Sequence, residues 1–235
     1  MKELRRMRGA IFDLDGTLLD SMGMWQDIDR HYLARFGKAA PADLQRRIEG
    51  FSVTETARYF KDSFDLPDDI PAIIADWNEM AKEEYRSRLQ LKPGAETFVK
   101  RLHAAGVRLA VATTNYRDLT EACLARLGIL DHFSAIMTSA EIEKGKPDPE
   151  IFLKAAAAIG ADPADCVVFE DLPAGILAGK RAGMQTVAVY DDASAAVEEQ
   201  KKEMADGYAE SWESWMKEEA ENLPGSKDDV STEDL

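Results

Sequence analysis

Near the start of the chain the sequence reads "AIFDLDGTLLDS" (10–21), and two aspartates, Asp13 and Asp15, stand one residue apart at the end of an apolar run. Alternation along a strand turns such a pair to the same side. Neighbouring carboxylates repel, and taking them out of water is unfavourable unless positive charge comes with them. Three arrangements satisfy this: a bound metal ion, a proton held by one of the pair, or both. A second acidic pair, Glu170 and Asp171, closes the apolar run "CVVFED" (166–171), and Thr113, Thr114 and Asn115 close "VRLAVATTN" (107–115).

The elements that must carry these groups can be read from the pattern around them. Apolar runs recur at "GAIFDLD", "VRLAVATTN", "FSAIMTS", "CVVFED" and "QTVAVY". Between the later ones lie "RDLTEACLARLGI", "DPEIFLKAAAAIG" and "PAGILAGKRAGM", with helical apolar spacing and a closing glycine. Strands alternating with helices predict an α/β fold with a parallel sheet, and ligands of such sheets gather beyond the carboxyl ends of the strands. The aspartates, threonines and Glu170 fall at those ends. Residues 22–88 break the alternation: they hold no strand pattern, and their apolar residues recur at helical spacing. The expected architecture is a Rossmann-like parallel-sheet core over 1–21 and 89–211 with a four-helix cap domain, 22–88, inserted into it. Residues 212–235 are polar and acidic and are expected to form a disordered tail.

Composition narrows the function. The chain of 235 residues has a formal net charge of −15, which argues against a nucleic-acid partner, whose phosphates need a basic surface. From Asp191 onward 15 acidic residues face 4 lysines, so most of that charge sits at the C-terminal end. No run approaches the roughly 20 apolar residues of a membrane span. Cys123 and Cys166 form no CxxC pair and are read as packed apolar residues of a reduced, cytoplasmic protein. His31, His103 and His132 stand in no motif and are read as structural. A monomer without membrane or nucleic-acid partners is expected.

Four separated signals support a family resemblance: "DLDGT" (13–17), Thr113 after its apolar strand, "GKPDPEIF" (145–152) and "FEDLPAGILAGKRAGM" (169–184). In that order they resemble the haloacid dehalogenase superfamily of phosphatases, in the branch whose helical cap follows the first strand and which includes beta-phosphoglucomutase. The resemblance implies Mg²⁺ as cofactor. Its ligands are the Asp13 carboxylate, the Asp15 backbone carbonyl and the Asp171 carboxylate, with Glu170 close by, directly or through water. Asp13 is the implied nucleophile, and Asp15 the acid and then base. Thr113 (with Thr114 as the alternative) and Lys146 hold the phosphate, joined by backbone N–H groups around Leu14 and Asn115. Lys144, two residues before Lys146, is read as a solvated lysine. This division suits the chemistry, because a phosphoryl group repels nucleophiles and must be positioned and neutralised.

Departures from the family pattern sharpen the expectation. The mutase members need a cap histidine and a cap arginine for a second phosphate; here those positions fall on Trp25 and near Val53. Water is therefore the expected acceptor, and the substrate is a small, sugar-phosphate-like monoester. A phosphosugar mutase is the alternative. A phosphonate hydrolase, needing a Schiff-base lysine, finds no recognisable context at Lys38, Lys61 or Lys82. Trp25 and Phe51, with Met22 and Met24, are the cap residues expected to meet the leaving group. Leu172 stands where many relatives carry a serine.

Overall fold

A computed structural model describes residues 7–48 and 51–222, with side chains to residue 217. β1 (Gly9–Phe12) is short, buried and apolar. The chain then leaves the sheet for an all-helical segment: α1 (Met22–Ala34), α2 (Leu44–Ile48), α3 (Val53–Phe64) and α4 (Ile70–Glu83). A π-helical turn, Glu84–Arg88, leads back. The remaining elements alternate: α5 (Ala95–Ala104), β2 (Arg108–Ala112), α6 (Arg117–Arg126), β3 (Phe133–Met137), α7 (Glu150–Ala158), β4 (Cys166–Glu170), α8 (Pro173–Arg181) and β5 (Gln185–Val189). Then come α9 (Glu198–Met204), β6 (Gly207–Ala209) and α10 (Trp212–Asn222).

All six strands are parallel, in the order β3-β2-β1-β4-β5-β6. This is a Rossmann-like sheet, and the strand that leads to Asp13 and Asp15 lies inside it, between β2 and β4. Both faces are covered. Ile11, Ala110 and Val168 pack with Ile151, Phe152 and Ala155 on one side. On the other, Ala10, Phe12, Val111 and Phe169 belong to a second cluster that continues into the helical segment through Tyr32, Phe60, Trp77 and Tyr85. Local signals start the helices of that segment. Ser52 and Glu55 form a capping box on α3, and Asp69 caps α4 with Pro71 in its first turn. Phe60 and Trp77 then lock α3 against α4, edge to face at 4.9 Å.

Two elements depart from expectation. β6 is a three-residue edge strand, too short for an apolar run to announce it. The tail expected over 212–235 is helical over Trp212–Asn222; its remainder, 223–235, lies outside the described residues. Trp212 and Trp215 explain the difference. Spaced three apart, they share one helix face and are 1% and 3% exposed. Trp212 stacks on Phe98 at 4.9 Å, and its indole N–H donates to the Thr17 carbonyl at 3.2 Å. Burying each indole stabilises by on the order of 4 kcal/mol, which outweighs the acidic character of the residues between them.

Candidate active site

β1 ends one residue before Asp13, whose backbone N–H still reaches the Phe169 carbonyl of β4 at 3.0 Å. That bond fixes where the carboxylate leaves the sheet. Lys146 Nζ lies 2.5 Å from Asp13 Oδ1 and 2.6 Å from Glu170 Oε1, and it also donates to the Ala112 carbonyl at 3.2 Å. All three side chains are buried. Burial pushes the Asp13 carboxyl well above the usual range against the pull of Lys146, and Glu170 adds to the rise. Burial alone would lower the Lys146 ammonium, but Asp13 and Glu170 outweigh it and hold the lysine charged.

Glu170 is engaged on both oxygens, by Lys146 and by the Leu172 backbone N–H at 2.9 Å. Its closeness to α8 depends on Gly175, where an added Cβ would stand 1.8 Å from Glu170 Oε1. Asp171 is different. Oδ1 accepts weakly from Thr17 at 3.3 Å, whereas Oδ2 is buried with no donor among the described residues. Burial raises its carboxyl well above the ordinary value; Glu170, Asp13 and Asp191 reinforce the rise, and Lys92 opposes it. Gly16 leaves room beside this oxygen, since a Cβ there would come within 2.4 Å of it. A buried carboxylate oxygen lacking a donor, next to a second buried carboxylate, is the donor chemistry of a hard divalent cation. Among the described residues no three His, Cys, Asp or Glu side chains cluster as a metal site by themselves. The expected set needs only two side chains, with a backbone carbonyl as the third ligand, and these residues fit it.

Asp15 does not share the counter-charge of Asp13, as alternation along one strand would require. The strand has ended, and Asp15 turns toward the helical segment. Ser21 Oγ (2.6 Å), Trp25 Nε1 (3.4 Å) and the Tyr85 hydroxyl all donate to its Oδ1. Asn115 Nδ2 donates to Oδ2 at 3.2 Å. Tyr85 is fully buried in the π-helical turn, a geometry often found at functional sites, and Trp25 also donates to its hydroxyl at 3.3 Å. On α6, Arg126 donates to the Tyr85 and Leu89 carbonyls and so ties the return of the helical segment to the core. Thr113 is buried at the end of β2, and its hydroxyl accepts the Asn115 backbone N–H at 3.0 Å, leaving its own proton available. That backbone N–H of Asn115 is therefore already engaged. Leu14 is buried directly between the two aspartates.

One cavity of about 260 Å³ joins these groups to the helical segment. Asp13, Asp15, Thr113, Asn115, Lys146, Glu170 and Asp171 line its core side, together with Thr114 and Leu172. Trp25, Phe51 and Met22 line the opposite side, whereas Met24 packs into the apolar cluster instead. Asp29, Gln45, Arg46 and Trp77 also reach this cavity, and sequence reasoning passed over all four. Helical spacing concealed them: Asp29 and Trp77 sit on core-facing stripes, and Arg46 belongs to a basic pair resembling a solvated face. Tyr85 was missed for the same reason. Cys123 and Cys166 are buried free thiols raised to about 11 by burial, in keeping with their reading as packed residues. Lys61 is occupied by the Leu66 and Asp68 carbonyls, and Lys82 by Glu79.

Comparison with known proteins agrees with this geometry. Residues 10–189 match the family model described as haloacid dehalogenase-like hydrolase. The chain is 33% identical over 202 residues to "Probable pseudouridine-5'-phosphatase" of Drosophila melanogaster, covering 81% of this chain and 84% of that protein. It is 33% identical over 190 residues to "(DL)-glycerol-3-phosphatase 2" of Arabidopsis thaliana, covering 77% and 79% of the two. Among solved structures, beta-phosphoglucomutase of Clostridium difficile shares the fold with a TM-score of 0.77 at 21% identity, over 92% of this chain and 97% of that one. With the match spanning the strands that carry Asp13, Thr113 and Glu170, the chain belongs to the haloacid dehalogenase-like hydrolases.

Proposed function

We propose that the chain is a Mg²⁺-dependent phosphatase that hydrolyses a small phosphate monoester through an aspartyl-phosphate on Asp13. One observation carries the reading. Asp13 is buried against Lys146 at 2.5 Å, while its neighbour Asp171 keeps a buried oxygen without a donor among the described residues. A nucleophilic carboxylate needs that pairing of one fixed cation and one place for a second. The named relatives act on a nucleoside phosphate and on glycerol phosphate, which supports a small soluble ester.

Asp13 attacks phosphorus, and the bond from phosphorus to the leaving oxygen breaks. Asp15 delivers a proton to that oxygen, then takes one from the water that attacks the aspartyl-phosphate, freeing phosphate and Asp13. Oδ1 accepts from Ser21, Trp25 and Tyr85, whereas Oδ2 accepts from Asn115 and keeps a second lone pair that can carry the proton. Lys146 orients Asp13 and meets the incoming phosphoryl charge, Glu170 holds Lys146 in place, and the Thr113 hydroxyl donates to a phosphoryl oxygen. Asp13, the Asp15 carbonyl and Asp171 would hold Mg²⁺, which when bound would supply positive charge to the phosphoryl group. The test is phosphate release from a panel of small phosphomonoesters with and without Mg²⁺, beside Asp13→Asn. Mg²⁺-dependent release that Asp13→Asn abolishes supports the reading; release that survives exhaustive chelation refutes it.

A phosphosugar mutase is the second reading, and it is favoured by Arg46, a cation of the helical segment that lines the cavity while paired with Asp43. Isomerisation of a sugar phosphate without net phosphate release would establish it.

A further inference from the structure

We propose that Asp29 is the subsite for a protonated amine on the leaving group, so that the substrate is a small monoester carrying phosphate at one end and ammonium at the other. The inference rests on the phosphatase reading and names its substrate class.

Asp29 lines the same cavity as Asp13 and Lys146, and α1 fixes its place there. Met22, Trp25 and Asp29 follow one another at spacings of three and four along that helix, which puts them on one face, and all three line the cavity. The Trp25 indole N–H meets Asp15 Oδ1 at 3.4 Å. The stripe therefore starts beside the group that protonates the leaving oxygen, and Asp29 stands one turn further on, about 6 Å of helix rise. A leaving group lying along this face meets Asp29 with its far end.

The charge on Asp29 is uncompensated, although the residue is only 7% exposed. Gln45 Nε2 donates to Oδ2 at 2.8 Å, whereas Oδ1 has no donor among the described residues and is not sealed off as Asp171 Oδ2 is. Burial raises the carboxyl to about 6 and Gln45 opposes the rise; no cation of the described residues contributes. At neutral pH the group is still mostly ionised. Arg46 also lines the cavity, but it and Arg47 both reach Asp43. Buried carboxylates are ordinarily paired with a cation, because taking one out of water alone is costly. An ammonium on the substrate supplies both the missing charge and a donor to Oδ1, in the stronger class of hydrogen bond. Trp25 and Trp77 line the cavity as well, and indole rings attract cations. A hydroxyl would satisfy Oδ1 but bring no charge. The cavity then has two poles, Lys146 for the phosphoryl end and Asp29 for the amine.

Steady-state kinetics on linear alkyl phosphates of increasing length test this, each length ending in turn in an amine, a hydroxyl or a methyl group, with p-nitrophenyl phosphate as the reference. At the length that spans to Asp29, the amine is expected to exceed both counterparts in kcat/KM by about tenfold or more, because only it pairs the buried charge. An apolar cavity without such a subsite prefers the methyl group, since an ammonium loses its water on entry. Asp29→Asn should shrink the amine's advantage to about twofold or less, a change that a merely structural bond between Asp29 and Gln45 would not produce. A methyl or hydroxyl compound that matches the amine at every length overturns the proposal while the phosphatase stands. So does an advantage of the amine that survives Asp29→Asn intact. If even p-nitrophenyl phosphate is inert, the phosphatase reading fails, and calorimetry of the same compounds still decides the subsite: equal affinity of amine and methyl overturns it. The matched compounds apply to the unaltered protein, so the test survives a variant that does not fold.

Discussion

The two sides of the cavity differ in how their polar groups are satisfied. On the sheet side the catalytic groups hold one another: Lys146 binds Asp13 and Glu170, Glu170 takes the Leu172 N–H, and Asn115 braces Thr113. On the helical side the Trp77 N–H lacks an acceptor among the described residues, and Asp29 has an amide for company rather than a cation. Chemistry common to many substrates can be preorganised by protein–protein bonds, whereas recognition of one substrate leaves bonds for that substrate to complete. Among the described residues that line the sheet side of the cavity, Asp171 keeps an oxygen without a donor, and a cation is the partner proposed for it.

The comparison breaks most visibly on the sheet side. Asp13→Asn should lower kcat by about 10⁴-fold or more, because a nucleophile has no substitute; single-turnover phosphate release measures it. Gly175→Ala should come next, since its methyl group would stand 1.8 Å from Glu170 Oε1 and force that carboxylate off Lys146. A loss of activity by about 10²-fold, together with lowered thermal stability, is the expected outcome. Between the two sides, Tyr85→Phe keeps the packing and removes one donor to Asp15. It should cost about tenfold in kcat on alkyl esters and less on p-nitrophenyl phosphate, whose leaving group needs no proton.

The smallest effect, on the helical side, appears as stability. The Asp29 carboxyl is raised from 3.8 to about 6 in the folded chain. Between those values the folded state binds more protons than the unfolded, so this residue's contribution falls as pH rises from about 4 to about 6 and stays low above that. The difference amounts to about 3 kcal/mol at most. Asp29→Asn should flatten that slope relative to the unaltered protein and stabilise it at pH 7, as denaturant titrations at pH 4 and pH 7 would measure.

The same contrast explains what the sequence disclosed. The five longer strands were visible because buried parallel strands read as unbroken apolar runs, and the core-side groups were visible because strand ends mark ligand sites. Lys146 came from the family motif; nothing local separates it from Lys144. The helical side was closed to such reading. Asp29, Gln45 and Trp77 lie on three different helices, and only tertiary packing brings them to one cavity. Tyr85 looked like an ordinary helix residue until the π-helical turn aimed it at Asp15. At the C-terminal end an average over acidic residues hid Trp212 and Trp215.

The bond from the Trp212 indole to the Thr17 carbonyl has a consequence for the order of biosynthesis. The turn that carries Asp13 and Asp15 is made well before the indole that braces it, which follows Thr17 by 195 residues. Until Trp212 has emerged, a nascent chain carries Asp13 and Asp15 on a turn missing one of its supports. Support for the turn is therefore complete only once α10 has been made, and a chain truncated before α10 would keep all six strands but leave that turn unbraced.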